Sequence, residues 1–396
     1  MKTNILVTGI VLATVGTVLL YPTIRGNAAA THGTTVVAPP LAARRVEVVF
    51  VLDTTGSMGG LIEAAKEKIW SIASTLAQAQ QAPQISMGLV AYRDRGDAYV
   101  TQVIDLNQDL DSMYAKLMDF AADGGGDGPE AVNEALEAAI QRVSWSQDRD
   151  AYKVVFLVGD APPHMVYQDD VKYPQVVAAA AAKGIVVNTI QCGGMSETVA
   201  PWQHIAALGR GRYFTVEQAG SAVAIATPFD GEIAQLAAEL DGTRLYYGSA
   251  DEVAAMRSKI EATERLTEEA SVGARARRGV FNASESGVGN FLGGRELVDD
   301  VASGRVDLAA VPEAELPASI AVLTPAAQRA AVAQTAEKRA ELQRQIAKLA
   351  AERDAYIEAE VEESGGADAS LDVQIYEAVR DQAAPLGLTY DSGPKF

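Results

Sequence analysis

Residues 46–58 read Val-Glu-Val-Val-Phe-Val-Leu-Asp-Thr-Thr-Gly-Ser-Met. The first seven form a short, almost unbroken apolar run rich in valine, the pattern of a strand covered on both faces in a mainly parallel sheet. Similar runs recur at residues 85–92, 100–106, 152–158, 184–190 and 212–216. Helical patterns separate most of them. Between the first two runs, Leu61, Ile62, Ala65, Ile69, Ile72, Ala73 and Leu76 repeat at helical spacing, and Pro83 closes the segment. Pro129 is read as opening a second helix, with Val132, Ala135, Leu136, Ala139, Ile140 and Val143 on one stripe. Further helices are expected at 174–183 and 199–208. This alternation over residues 45–240 predicts an α/β fold: a doubly wound, mostly parallel open sheet with helices on both faces and ligands at the strand C-terminal ends.

Outward from that core, the chain changes character twice. Past residue 241 the alternation stops and Ala-, Glu-, Arg- and Gln-rich stretches predict a mainly α-helical C-terminal region, 241–396. One helix is expected from 251 to about 270, ahead of Arg275, Arg277 and Arg278, a cluster read as a solvated patch. Another runs from Pro325 to Glu363, where Leu342, Ile346, Leu349 and Tyr356 make a partial heptad seam that Arg353 interrupts. Packing of that helix on its own chain is preferred to an intermolecular coiled coil. At the other end, Lys2 precedes an apolar run over residues 5–20 and then Ala28-Ala29-Ala30. Residues 1–30 are therefore read as an export signal or retained N-terminal membrane anchor, and 31–44, with Pro39-Pro40, as a linker. The expected location is periplasmic or extracellular.

The chain has 396 residues, enough for two or three folding units of about 150 residues each. It carries 52 Asp+Glu against 33 Lys+Arg, a net charge of −19, which argues against nucleic acid as a partner. Its single cysteine, Cys192, allows no intrachain disulfide and is expected to pack at a strand end.

Chemistry gathers in three stretches. Asp53, Thr55 and Ser57 follow the first strand and all offer oxygen, as a hard cation such as Mg²⁺ requires. Gly124-Gly125-Gly126-Asp127-Gly128-Pro129-Glu130 precedes the second helix; its glycines permit close backbone approach and Asp127 can reach inward. Asp160 follows the strand at 152–158. The sheet would bring all three loops to one edge. Together these stretches resemble a von Willebrand factor type A domain with a metal-ion-dependent adhesion site, over about residues 45–240. The family's DxSxS element is matched by Asp53, Thr55 and Ser57, its threonine element in position by Asp127, and its later aspartate by Asp160. The sequences around them are similar to those of the hemicentin and alpha-kinase-associated subgroup. The whole chain resembles uncharacterised exported bacterial proteins with this domain. The resemblance implies a bound divalent cation, Mg²⁺ first with Mn²⁺ or Ca²⁺ as alternatives, completed by an acidic residue of a protein partner. Asp127 departs from the pattern, because an extra carboxylate would weaken the metal's pull on such a ligand.

Simpler readings stand beside these. Asp53 and Ser57 can serve as helix caps, Glu130 as a first-turn partner of the helix dipole, and Asp94 as an ion-pair partner of Arg93 or Arg95. His164 is read as a loop histidine bonded to backbone. The three histidines, His32, His164 and His204, show no zinc spacing. Ser57, Asp160 and His164 follow the chain order of a hydrolase triad but lack the GxSxG elbow. Arg95-Gly96-Asp97 is read as a turn. The expectation is an exported, non-enzymatic binding protein whose metal mediates adhesion to an unidentified protein partner. The alternative is a structural envelope protein self-associating through its C-terminal helices.

Overall fold

The computed structural model describes residues 44–126, 128–216, 225–363 and 371–390. The export segment, nearly all of the linker, His32 and Asp127 lie outside them. Among the described residues no helix is long and apolar enough to cross a membrane.

Six strands form one sheet: β1 (Arg45–Asp53), β2 (Gln84–Tyr92), β3 (Thr101–Asn107), β4 (Tyr152–Gly159), β5 (Ile185–Cys192) and β6 (Arg210–Val216), in the order β3-β2-β1-β4-β5-β6. All neighbours pair in parallel except β2 with β3. The near-continuous apolar character of β1 follows from its position. Val46, Val48, Phe50 and Leu52 feed one core, while Val49 and Val51 feed the other. On the first face pack α1 (Leu61–Ala77) and α2 (Leu110–Met118). On the second lie α3 (Val132–Gln141), α4 (Tyr173–Ala182) and α5 (Ser196–Leu208).

The doubly wound fold is as expected, with two local differences. Helix α2 has no counterpart in the sequence reading, although Asp109 caps it by accepting from Ser112 N–H. Helix α3 starts at Val132 rather than at Pro129, because Glu130 is engaged elsewhere: its N–H donates to Pro162 O at 2.9 Å and its carbonyl accepts from His164 N–H at 3.0 Å.

The C-terminal region is helical: α6 (Asp230–Asp241), α7 (Ala250–Glu269), α8 (Val272–Ala283), α9 (Val288–Leu292), α10 (Leu297–Ala302), α11 (Ala318–Ala321), α12 (Pro325–Glu363) and α13 (Leu371–Ala383). These helices share a core with the sheet. Leu371, Ile375, Tyr376 and Val379 of α13 and Phe281 of α8 join the cluster of the first face, so the described residues form one compact unit. Trp70 of α1, fully buried, lies 5.5 Å from the Tyr114 ring and 6.0 Å from that of Phe281.

Charge is buried in this region too, which corrects two readings. The arginine cluster is not a solvated patch, since Arg277 and Arg278 are 5% and 4% exposed. Arg278 forks onto Asp111 of α2 at 2.6–2.7 Å and onto Asp241 of α6. Nor does Arg353 break the inward face of α12. It points inward and meets Asp230 at 2.8 Å, both nearly buried, between the buried Ile346 and Ile357. Leu342 and Ile346 pack with α6, α8 and α9 of the same chain.

Asp111 is fully buried between Arg278 and Lys259, which is itself only 2% exposed. Burial alone would raise its carboxyl, but the two cations outweigh it and hold the group well below the usual range. Asp111→Ala leaves those cations buried without their shared counter-charge. A loss of about 3–5 kcal/mol in urea unfolding is expected. A loss below about 1 kcal/mol would show that the triad does not tie the helical region to the sheet domain.

Candidate metal centre

Winding reverses at β1. The chain passes from β1 to β2 on one side and later returns to β4 on the other, so the C-terminal ends of β1 and β4 flank the switch point where open α/β sheets leave a crevice. Asp53 ends β1 and Asp160 follows β4.

Short hydrogen bonds join the oxygens there. Asp53 Oδ1 accepts from Thr55 N–H at 2.9 Å and from Thr55 Oγ1 at 2.6 Å. Thr55 Oγ1 lies 3.2 Å from Ser57 Oγ, which donates to Asp160 Oδ1 at 3.0 Å. The structure therefore brings together four of the five predicted ligands; Asp127 falls outside the described residues. Asp53, Thr55 and Asp160 are 0%, 1% and 5% exposed, whereas Ser57 is open to solvent. None of these side chains is spent as a helix cap: neither the short turn at Gly56–Met58 nor α1 has a side-chain cap bond.

The glycine stretch docks beside them through its backbone. Gly56 N–H donates to Gly124 O at 3.1 Å and Asp123 N–H to Thr54 O. Gly124 and Gly125 take φ of 77° and 78°, and a Cβ on Gly124 would sit 2.4 Å from the Asp97 carboxylate that receives Gly125 N–H. Asp97 thus belongs to a turn, as read, and also fastens this loop. The loop after β4 is held by Thr198 Oγ1 on Asp160 O at 2.8 Å and Trp202 Nε1 on Ala161 O at 3.0 Å.

Three neighbouring side chains differ from their expected roles. Glu130 is no exposed dipole partner; it is 3% exposed behind Thr55, with Oε2 buried and without a hydrogen bond. Asp94 pairs with neither Arg93 nor Arg95. It faces His164 Nε2 at 3.3 Å and accepts from Tyr167 Oη at 3.2 Å, while Arg95 binds Glu134 and Asp169. His164 engages the backbone through its own main chain, but its ring faces Asp94 and lies 4.3 Å from that of Tyr167. Glu130 is the residue that sequence reasoning missed. Its only signal was a position directly after the glycines, and inward orientation came from the bridge it forms with Pro163.

The donor set fits a hard divalent cation. Every polar side-chain atom in it is oxygen, and Asp53 Oδ2 is buried with no hydrogen-bond partner. Such an atom is costly unless a positive charge meets it. Burial, reinforced by Asp160 and opposed by the Thr55 hydrogen bonds and by the neighbouring Tyr92 hydroxyl, pushes the Asp53 carboxyl up to about 7. Burial and then Asp53 push Glu130 up to about 9. Among the described residues no three His, Cys, Asp or Glu side chains converge as a ligand group, so the hydroxyls of Thr55 and Ser57 would complete the set. The close fit extends to the strand behind it, where a Cβ on Gly159 would lie 2.5 Å from Tyr92 Oη and 2.8 Å from Asp53 Cβ.

The raised carboxyls set a pH dependence. A carboxyl whose folded value exceeds its unfolded one contributes stability at low pH that is lost as pH rises through the folded value. Without metal, melting temperature should fall between about pH 4 and 7 through Asp53 and on toward 9 through Glu130. Saturating Mg²⁺ should flatten that fall, because the cation replaces the proton. Melting curves from pH 5 to 9 in EDTA and in Mg²⁺ check this; parallel curves would contradict a cation at this position.

Known proteins resemble part of this chain. Residues 47–227 match the profile of the von Willebrand factor A domain. The von Willebrand factor A domain-containing protein 7 of Rattus norvegicus is 39% identical over 116 residues, covering 29% of this chain and 12% of that protein. The conserved hypothetical protein BatB from Bacteroides thetaiotaomicron aligns over 44% of this chain and 91% of its own, at 18% identity and a TM-score of 0.34. A mussel byssus protein, proximal thread matrix protein 1 with a zinc-occupied MIDAS motif, aligns over 44% of this chain and 41% of its own, again at 18% identity and a TM-score of 0.34. Residues 47–227, a little under half of the chain, thus resemble a von Willebrand factor A domain, and Asp53, Thr55, Ser57 and Asp160 lie within them.

Proposed function

We propose that this is an exported, non-enzymatic binding protein that holds a divalent cation, Mg²⁺ first, at Asp53, Thr55, Ser57 and Asp160, with Asp127 as a further ligand. The cation takes an oxygen from a protein partner in the cell envelope. The observation that carries this reading is the buried, unpartnered Asp53 Oδ2 within an all-oxygen cluster that opens to solvent at Ser57. A cation held there would supply the positive charge that the buried carboxylates lack, beside the exposed Ser57. The chain's own residues supply the cradle: Asp53 anchors, Thr55 and Ser57 offer hydroxyls, and Asp160 acts directly or through water.

Surroundings favour contact over catalysis. His164, the titratable base nearest in sequence to Asp160, has its ring turned to Asp94 and Tyr167. Met165 and Val166, just beyond it, are 47% and 70% exposed, apolar surface of the kind that partners cover. The apolar residues of α12 are used within the chain, which favours a binding module over assembly through that helix.

Titration of the full chain with Mg²⁺ by calorimetry should show saturable 1:1 binding that Asp53→Ala abolishes. Partner capture from an envelope extract should be lost in EDTA and restored by Mg²⁺. Unchanged Mg²⁺ and Mn²⁺ affinity in Asp53→Ala would sink the assignment.

A further inference from the structure

At the opposite edge of the sheet, where β4 and β5 begin, lies an open cleft of about 810 Å³. It is walled by the segment after α3, the approach to β4 and the turn between α4 and β5. Four cationic side chains line it, Arg142, Arg149, Lys153 and Lys183, against one acid, Asp148. In a chain of net charge −19 that imbalance is unusual.

None of the four makes an ion pair among the described residues. Arg142 Nη1 donates to Thr101 Oγ1 at 3.0 Å, and Lys183 Nζ to Ile140 O at 2.8 Å and Gln141 Oε1 at 3.0 Å. Lys153 is 6% exposed, and its ammonium donates to the carbonyl of Ser146. Its register partner Glu47 accepts instead from Ser146 N–H at 3.1 Å, and no ion pair joins the two. Glu47 does not line the cleft. Asp148 accepts from Asp150 N–H, and Asp105, beside the rim, accepts from Ser144 N–H at 2.7 Å. The acids are thus met by main-chain donors, and Arg142, Lys153 and Lys183 by neutral acceptors. A nearly buried lysine without a carboxylate partner is costly unless an anion completes it.

We propose that this cleft is a second binding site, for a phosphate-bearing ligand. Two guanidiniums and two ammoniums suit an oxyanion of more than one charge, since Arg binds phosphate as a fork and Lys as a point charge. The volume exceeds what inorganic phosphate alone needs and accommodates an organic substituent. Such a ligand is a soluble phosphate ester or the headgroup of an anionic phospholipid. The cleft shares its sheet edge with Arg45, where β1 begins. The site lies at the far ends of the strands from Asp53 and does not require the metal centre.

The test is calorimetry of the full chain in EDTA with glycerol 3-phosphate, together with sedimentation on vesicles of phosphatidylglycerol or phosphatidylcholine. Arg142→Gln/Arg149→Gln removes two exposed cations without disturbing the core; its melting temperature should equal wild type. The expected result is saturable binding of glycerol 3-phosphate, or binding to phosphatidylglycerol in excess of phosphatidylcholine, weakened at least tenfold in the double variant and unchanged in Asp53→Ala. The soluble arm alone assigns a phosphate ester; the vesicle excess alone assigns a headgroup. Absence of both in wild type, or equal binding by the double variant, overturns the proposal.

Discussion

The reversal of winding at β1 is the constraint on which the rest depends. Because β1 pairs in parallel with β2 on one side and β4 on the other, its C-terminal end has a neighbouring strand end on each side and no crossover above it. Asp53 is the last residue of that strand, and main-chain pairing gives it a position it cannot leave without breaking register. Its carboxylate is therefore buried whatever that costs. The surrounding loops answer the cost in part, because Thr55 donates twice to Oδ1, whereas Asp160, joined through Ser57, adds to it. Oδ2 is left over, and with Glu130 behind it the cluster is short of positive charge. The shortage of positive charge here follows from topology before it follows from any motif.

The helical region answers a different problem. A sheet with two apolar faces needs cover on both, and the crossover helices α1 and α2 leave part of the first face for α8 and α13 to close. Buried ion pairs fix these helices: Asp111 of α2 with Arg278 and Lys259 joins them to the sheet domain, and Asp230 with Arg353 and Glu296 with Arg339 join them to one another. Such pairs add little net stability over apolar packing, but they penalise any arrangement that separates the partners. They set how the helices seat on the domain. The same principle marks the cleft beneath β4 and β5 as incomplete, because there the cations have no such partners.

How far residues can be read without the fold is visible at particular positions. The apolar runs of β1 and β4 are legible because strands buried on both faces have no polar alternation to blur them. Asp53, Thr55 and Ser57 are legible because their spacing is local, and the fold did bring Asp160 to them across 103 positions of sequence. Arg278 and Arg353 read as surface charge because Asp111 and Asp230, which neutralise them, are 167 and 123 residues away. Glu130 read as a helix-dipole residue for a related reason. Nothing local announces that its backbone pairs with Pro162 and His164 and turns its carboxylate inward.

By itself, then, the sequence determined the alternation of strands and helices, the doubly wound class, the oxygen-bearing loop after the first strand and the mainly helical character of the described chain past residue 241. Those features rest on periodicity and on contacts between near neighbours. Only the tertiary structure decided which charges are buried and with whom, that Asp53 keeps one oxygen unpartnered, that Glu130 stands behind it, and that four cations share a cleft at the far edge. Desolvation and Coulomb interaction depend on distances between residues far apart in the chain, and those distances exist only once the strands have taken their order.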